Sequence, residues 1–317
     1  MLTVYKYAKG IIKKGELTDL KKPSTLTWAD VNRPSKEELN KISEETGITP
    51  VDLKEAIDEA ERPRTSDLTN YSLLTFRAPL FKNGDIRTTS VSIFISKNRN
   101  NIITIRHGDT KSISKVRQLV ETNKTVLFER GVDYFVYRLL DEILNTYFLV
   151  MDNIEDSIGK IEDDVMKNPD KKVVSHIFEI KKTLIYFTKS LIANREVITS
   201  IEKQYVTDIT PKNRRLFRNL YNDVVQLVDT ASTLREVLTG TLDVYLSSAS
   251  NNLNQVMKTL TVGASFILIP TLIASIYGMN FEFMPELHWK YGYFFSLVVM
   301  VFSIAGMYGF FRRKGWI

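Results

Sequence analysis

The sequence predicts an α+β protein: a mixed α/β domain, then long helices, then two helices that cross a membrane. Three observations lead there. Strand and helix signals alternate over roughly the first 110 residues. From Lys111 onward no strand signal survives and helical periodicity takes over. Near the C-terminus, Thr259 to Phe281 (23 residues) and Tyr291 to Phe311 (21 residues) contain no Asp, Glu, Lys or Arg. Each is long enough for the ~20 apolar residues that a helix needs to cross a bilayer core.

The elements follow in chain order. Ser35-Lys36-Glu37-Glu38 is a capping box that opens a helix, and Gly47 closes it. Thr49-Pro50 starts the next helix, with Pro at its first position. Tyr71 to Ala78 and Thr89 to Ser96 are rich in β-branched and aromatic residues and flank Asn83-Gly84, a strong hairpin signal. Asn101 to Arg106 is a third strand candidate. Helical periodicity then runs to Lys167, breaks at Asn168-Pro169, resumes from Asp170 to about Tyr205, and breaks again near Pro211. The next Pro is Pro270, inside the first charge-free stretch. One helix of about 67 residues is therefore expected from Pro211 to Tyr277, ~100 Å long at 1.5 Å per residue. A helix of that length needs partners along it, either other helices of the chain or copies of itself.

The domain division that results is a soluble part over 1–250, with its α/β part at about 1–130 and its helical part and stalk at about 131–250. A membrane part follows over 251–317, with helices at about 256–278 and 291–311 and an outer loop between them.

Composition excludes several classes. The net charge is +6, yet no basic stripe interleaved with aromatics appears, so a nucleic-acid partner is not expected. With no Cys there is no disulfide, thiolate metal site or thiol nucleophile. His107, His176 and His288 lie far apart in sequence. No Walker-type Gly-rich loop is present, and no nucleophile constellation supports an enzyme. The N-terminus carries no apolar core of signal-peptide length, so a cytosolic start is expected. Arg312-Arg313-Lys314 follows the second span and Lys258 precedes the first, whereas the link carries Glu282 and Glu286 against Lys290. The positive-inside rule then places both termini in the cytoplasm and the link outside. Trp289, Tyr291, Tyr293 and Trp316 fit aromatic belts, and each alone fits ordinary packing equally well.

On the long helix, the 3-4 spacing that faces a common axis in a bundle selects Asp243, Ser247, Ser250, Asn254, Met257, Thr261, Ala264, Leu268, Thr271, Ser275 and Gly278. This row is polar or small along most of its length. One such stripe from each of several subunits would line a water-filled path. Close helix packing explains Ala264, Ser275 and Gly278, but explains Asp243 and Asn254 poorly. Met257, Leu260 and Leu268 are bulky points on or beside the row and are candidates for apolar constrictions; Leu260 facing a neighbouring helix is the alternative. A second unusual feature is the run Asp141 to Asp164, which holds Asp141, Glu142, Asp152, Glu155, Asp156, Glu162, Asp163 and Asp164 against Lys160 alone. It reads either as a solvated face or as a cation sensor.

Gly278-Met279-Asn280 at the end of the first span, followed by Met284-Pro285-Glu286-Leu287 in the link, resembles the CorA family of magnesium transporters. In that family Gly-Met-Asn ends the pore helix and an acidic Met-Pro-Glu-Leu loop follows. Leu242-Asp243-Val244-Tyr245-Leu246-Ser247 with Asn254 and Met257 is similar to the family's stalk, and Asp141-Glu142-Ile143-Leu144 with Tyr147, Phe148 and Asp152 is similar to its acidic helix. The likeness can be followed from about residue 40 to 317.

The resemblance implies a cytoplasmic α/β/α domain with a mixed sheet, in a funnel-shaped homopentamer in the cell membrane. It implies passive Mg²⁺ influx driven by membrane potential and gated by cytoplasmic Mg²⁺, with Co²⁺ and Ni²⁺ as further cargo. No cofactor is implied: Mg²⁺ is the substrate and also a regulatory ligand. The partners implied are copies of the chain, lipid and divalent ions. Gly278, Met279 and Asn280 become the pore mouth, and Glu282 and Glu286 attract cations to it. The regulatory metal set becomes Glu55, Asp152, Glu155, Asp156 and Asp223. Glu55 falls where the family often has an acid, but its usual partner falls on the neutral Asn219, and Asp223, one turn on, is the substitute. A related Zn²⁺/Co²⁺ transporter and a membrane-anchored enzyme are the competing readings.

Overall fold

The computed structural model describes the chain except residues 23–25, 83–84, 99, 168–170, 204–209 and 283, and except the side chains of 82, 166–167, 171, 211–212 and 286–287. It separates into two compact units. The first comprises residues 1–164 with 170–242, and the second comprises 165–169 with 243–317.

The first unit is built on a seven-stranded sheet. Its strands are β1 (Leu2–Ala8), β2 (Ile11–Gly15), β3 (Leu26–Asn32), β4 (Arg64–Asp67), β5 (Tyr71–Lys82), β6 (Asp85–Ser96) and β7 (Asn101–Arg106), in the spatial order β2-β1-β3-β7-β6-β5-β4. Only β3 and β7 pair in parallel, so the sheet is mixed, as expected. The β5–β6 pair is longer than the strand signals indicated. It extends through Pro79, which is tolerated because β4 reaches only as far as Thr75 along the other side of β5. The Asn83-Gly84 turn itself lies outside the described residues.

The alternation of side chains across the pleat sorts the sheet into two faces. Ala29, Val31, Leu73, Phe94, Ile103 and Ile105 form one apolar face with Ile42 of α1 (Lys36–Thr46), Leu53 of α2 (Pro50–Ala56) and Ile48 between the two helices. Both helices begin as their sequences require. Ser35 accepts from the Glu38 amide while the Glu38 carboxylate accepts from the Ser35 amide. Thr49 accepts from the Asp52 amide ahead of Pro50, and Gly47 closes α1 at φ +79°.

The other face is covered by α3 (Lys111–Glu121), α4 (Val126–Glu129), α5 (Val132–Lys167) and α6 (Lys171–Glu202). There Trp28 meets Phe135 at 5.1 Å and donates to Thr104 at 3.1 Å. The middle of that face is ionic. Asp30 and Arg106 are both fully buried. The Asp30 carboxylate accepts from Arg106 Nε at 3.2 Å, from Arg106 Nη2 at 2.9 Å and from Thr104 at 3.0 Å, and also from Arg117 of α3. The result is the α/β/α layering that the resemblance implied.

Helix α7 (Pro211–Tyr277) is one helix of 67 residues, as the spacing of prolines predicted. Within the first unit it buries Phe217, Leu220, Val224, Leu227, Ala231, Leu234 and Leu238 at helical spacing. A short 3₁₀ turn (Pro285–His288) and α8 (Gly292–Arg313) complete the second unit. The apolar parts of α7 and α8 have mean hydropathies of 1.9 and 2.0, with only 6% and 11% of those windows buried. A core helix of a soluble protein would be mostly buried, so both have the character of membrane spans.

Candidate ion pathway and acidic helix

Two different faces of α7 emerge in the second unit. Val262 is buried, and Phe266, Ile273 and Tyr277 are partly buried, at spacings of 4, 7 and 4. This face meets α8, where Phe266 and Phe311 lie 6.1 Å apart. The matching face of α8 is Gly292, Ser296, Met300, Ser303, Met307 and Phe311, all buried or partly buried. Its small residues permit close approach of the two helices. At 3.6 residues per turn, the row from Asp243 to Gly278 lies about half a turn away around α7. All of its members, Asp243, Ser247, Ser250, Asn254, Met257, Thr261, Ala264, Leu268, Thr271, Ser275 and Gly278, are exposed. Leu260, beside the row, is 64% exposed. The small residues of the row therefore do not serve the α7–α8 contact, which is the alternative that the sequence left open within one chain.

The hydroxyls on this face have a defined geometry. Thr261 donates to the Met257 carbonyl and Thr271 to the Ile267 carbonyl, both at 2.7 Å. Each thus satisfies its proton one turn back along the helix.

At the C-terminal end of α7, Gly278 donates to Ala274 at 2.9 Å and Met279 to Ile276 at 3.3 Å, which closes the last turn. The Gly278 backbone is not in the left-handed region; its constraint is space, because an added Cβ would come within 3.2 Å of the Ala274 carbonyl. Met279 and Asn280 are exposed beyond the helix end, and Asn280 makes no hydrogen bond among the described residues. Glu282 is exposed; the Glu286 side chain lies outside the described residues. At the other end of the apolar part of α7, Lys258 sits 5.9 Å over the Trp316 ring, and Trp316 stacks on Phe311 at 5.7 Å. The sequence signals this clasp only through the placement of one aromatic after the basic tail.

The acidic residues are distributed more widely than the sequence reading grouped them. Glu55, on α2, is about half exposed and ion-paired with Arg64. Asp152, Glu155 and Asp156 lie exposed on α5. Glu155 reaches a groove of about 600 Å³ whose other wall, on α7, carries Asn222, Gln226 and Asp229. Asp229 was not singled out in the sequence, since a lone acid on a long helix carries no signal. Asp223 is partly buried, and burial pushes its carboxyl up, aided by the charge of Asp141. Burial also raises Asp141; Arg138 opposes this and Glu142 adds to it. Asn219 is exposed, one turn before Asp223. Among the described residues, no three acidic or histidine side chains converge on one point. Any cation held by these acids therefore draws ligands from outside one chain or keeps much of its water.

Comparison with known proteins agrees with both halves of this architecture. The model of the CorA-like Mg²⁺ transporter protein family matches residues 23–313. The cobalt/magnesium transport protein CorA of Methanocaldococcus jannaschii is 38% identical over 100% of both chains. That of Thermotoga maritima is 32% identical over 93% of this chain and 84% of the relative. The complete structure of the CorA magnesium transporter from M. jannaschii superposes with a TM-score of 0.89 at 34% identity, covering 100% of this chain and 99% of that one. A fold, a pair of apolar helices and a sequence match over nearly the whole length thus point the same way: this chain belongs to the CorA family, among ion transporters rather than enzymes.

Proposed function

We propose that the chain is one subunit of a homopentameric Mg²⁺ channel in the cell membrane, through which the ion enters passively. Membrane potential supplies ~2.3 kcal/mol per charge per 100 mV, and twice that for a divalent ion. Co²⁺ is the second cargo, since the M. jannaschii and T. maritima relatives are named for cobalt as well as magnesium. Both termini face the cytoplasm by the distribution of Lys and Arg around the spans.

The observation that carries this reading is the exposed polar row on the face of α7 turned away from α8. A helix surrounded by lipid has no physical reason to keep Asn254, Thr261, Thr271 and Ser275 on one line. Copies of α7 around a common axis, each backed by α8, place that line on water and leave the apolar faces to lipid. Met257, Leu260 and Leu268 then narrow the path with apolar side chains that close it by dewetting.

Cysteine accessibility tests the arrangement, and the chain has no Cys to give a background. In membranes, cysteines at Asn254, Met257 and Thr271 should react with a small water-soluble thiol reagent at least about tenfold faster than cysteines at Ile269 or Ile273. Ile273 is shielded by α8, and Ile269 by lipid. Equal rates around the helix would overturn the pathway. Mg²⁺ flux into liposomes that contain this protein alone, with Zn²⁺ as the competing cargo, tests the activity itself.

Gating by cytoplasmic Mg²⁺ is the second part of the proposal, with Asp152, Glu155, Asp156, Asp223 and Glu55 as the acids concerned. Bound cation rewards a closed packing only while the carboxylates are charged. The triple variant Asp152→Asn, Glu155→Gln, Asp156→Asn should raise the internal Mg²⁺ that half-inhibits flux at least about fivefold, the lower end of ordinary coupling energies. An unchanged midpoint would leave these residues as a solvated face.

A further inference from the structure

The β5–β6 hairpin and α6 enclose a cavity of about 510 Å³ in the first unit, within the ~300–1,000 Å³ typical of small-molecule sites. Arg77 and Thr88 come from the hairpin, and Lys182 and Tyr186 from α6.

Arg77 is the unusual residue. Its Nε donates to Thr88 Oγ1 at 2.9 Å. Its Nη1 donates to the carbonyls of Glu59 at 3.3 Å and Glu61 at 3.1 Å, and its Nη2 to the Thr88 carbonyl at 2.5 Å. All of these acceptors are neutral. A guanidinium carries five N–H donors, so one N–H at Nη2 has no acceptor among the described residues, and the charge meets no carboxylate at ion-pair distance among them. Burial pushes the guanidinium below its ordinary value, opposed by the nearby Tyr147 hydroxyl and the carboxylates of Glu59 and Asp58.

The remaining cavity charges sort into answered and unanswered. Arg87 pairs with Asp85 at 3.1 Å, and the Glu179 carboxylate lies one turn before Lys182 on α6, with the His176 ring at 3.6 Å. Lys182 makes no ion pair or hydrogen bond among the described residues. The cations Arg77, Arg87 and Lys182 thus outnumber the carboxylates Asp85 and Glu179 in the cavity lining, and neither Arg77 nor Lys182 makes an ion pair among the described residues. The cavity is also held in shape. The Arg77 amide donates to Asn194 Oδ1 at 2.8 Å, and its carbonyl accepts from Asn194 Nδ2 at 2.9 Å and from the Tyr147 hydroxyl at 3.1 Å. These contacts fix its backbone from α6 and α5 at once.

We propose that this cavity binds a phosphate monoester of nucleotide size, with the phosphate between Arg77 and Lys182 and the ring system against Tyr186. A phosphate monoester carries close to two negative charges at neutral pH, which suits a cavity whose Arg77 and Lys182 make no ion pair among the described residues. Its oxygens suit a planar guanidinium fork and a mobile ammonium together. Tyr186 is 48% exposed and offers a ring face to a base or sugar at the rim.

The test is calorimetric titration of the full-length protein in detergent with AMP, inorganic phosphate and adenosine. AMP should bind saturably at millimolar concentration or below, phosphate more weakly, and adenosine not measurably. Lys182→Glu should weaken AMP at least about tenfold, and Lys182→Arg should keep it within about threefold. Lys182 is exposed on a helix, so an unchanged thermal midpoint will show that both variants are folded. The proposal fails if the wild type binds neither AMP nor phosphate, or if Lys182→Glu binds AMP as well as the wild type does. Equal binding of adenosine and AMP would remove the phosphate from the site.

Discussion

Asn280→Ala is expected to lower Mg²⁺ uptake into liposomes about tenfold or more while leaving membrane insertion and assembly intact. Asn280 lies past the end of α7, exposed and without a hydrogen-bond partner among the described residues. Its removal therefore costs the fold of one chain little. What it removes is an amide oxygen at the point where the last carbonyls of α7 already point, with the partial negative charge of a helix C-terminus. Mg²⁺ gives up its inner waters reluctantly and is most readily held through them. A neutral amide oxygen accepts from those waters without gripping the ion. A hydrogen bond to a charged partner contributes roughly 1.5–3 kcal/mol, and 1.4 kcal/mol is a factor of ten. Gly278→Ala should give a similar loss by another route, because its new Cβ would press on the Ala274 carbonyl at 3.2 Å. Uptake by Asn280→Ala at more than half the wild-type rate, with the protein present at equal density, would remove the mouth from the mechanism.

The second large effect concerns stability, and it lies in the first unit. Asp30→Ala should destabilise the protein by ~3–5 kcal/mol, the usual consequence of removing one partner of a buried ion pair. Arg106 is fully buried and Arg117 largely so, and both donate to the Asp30 carboxylate. Without it, Arg106 keeps the Gly108 carbonyl at 2.6 Å and the exposed Asp109 at 3.3 Å, neither of which replaces a buried charge. A loss of this size is a large part of the ~5–15 kcal/mol by which a domain is stable. Asp30→Asn should cost less, because its amide oxygen still accepts. The check is the urea midpoint of the full-length protein by circular dichroism. A change below about 1 kcal/mol for Asp30→Ala would show that the two arginines find other partners.

The same aspartate explains why part of the fold was hard to read. The caps Ser35, Gly47 and Thr49-Pro50 act over three or four residues, so their sequences announce them. The length of α7 follows from the absence of a proline between Pro211 and Pro270. Strand β3, in contrast, has Asp30 in its middle. That is acceptable only because residues 76 and 87 positions later supply its counter-charges. Strand β2 is exposed through its lysines and follows a turn at Lys9-Gly10, both at positive φ, and β4 is four residues long; neither offers a local apolar pattern. On α7 the 3-4 row was legible as a spacing. Which face α8 covers was not, because that depends on Gly292, Ser296 and Ser303, whose value lies in being small against a particular neighbour. The regulatory acids were the least legible, since a carboxylate's role depends on what faces it across helices.

One small feature of α7 bears on the sign of the charge that its row favours. A hydroxyl has one proton and two lone pairs. Thr261 and Thr271 have already committed that proton to carbonyls of their own helix, so each oxygen offers only acceptor capacity outward. The waters around a divalent cation point their hydrogens away from the ion and find acceptors there. The waters around an anion present oxygen outward and find nothing to donate to them. If the row lines the proposed path, discrimination between cation and anion needs in part no fixed charge, and should persist at high salt, where the attraction of an acidic loop is screened. It depends on the helix remaining unbroken through both threonines, since only then does a carbonyl lie one turn back to take the proton.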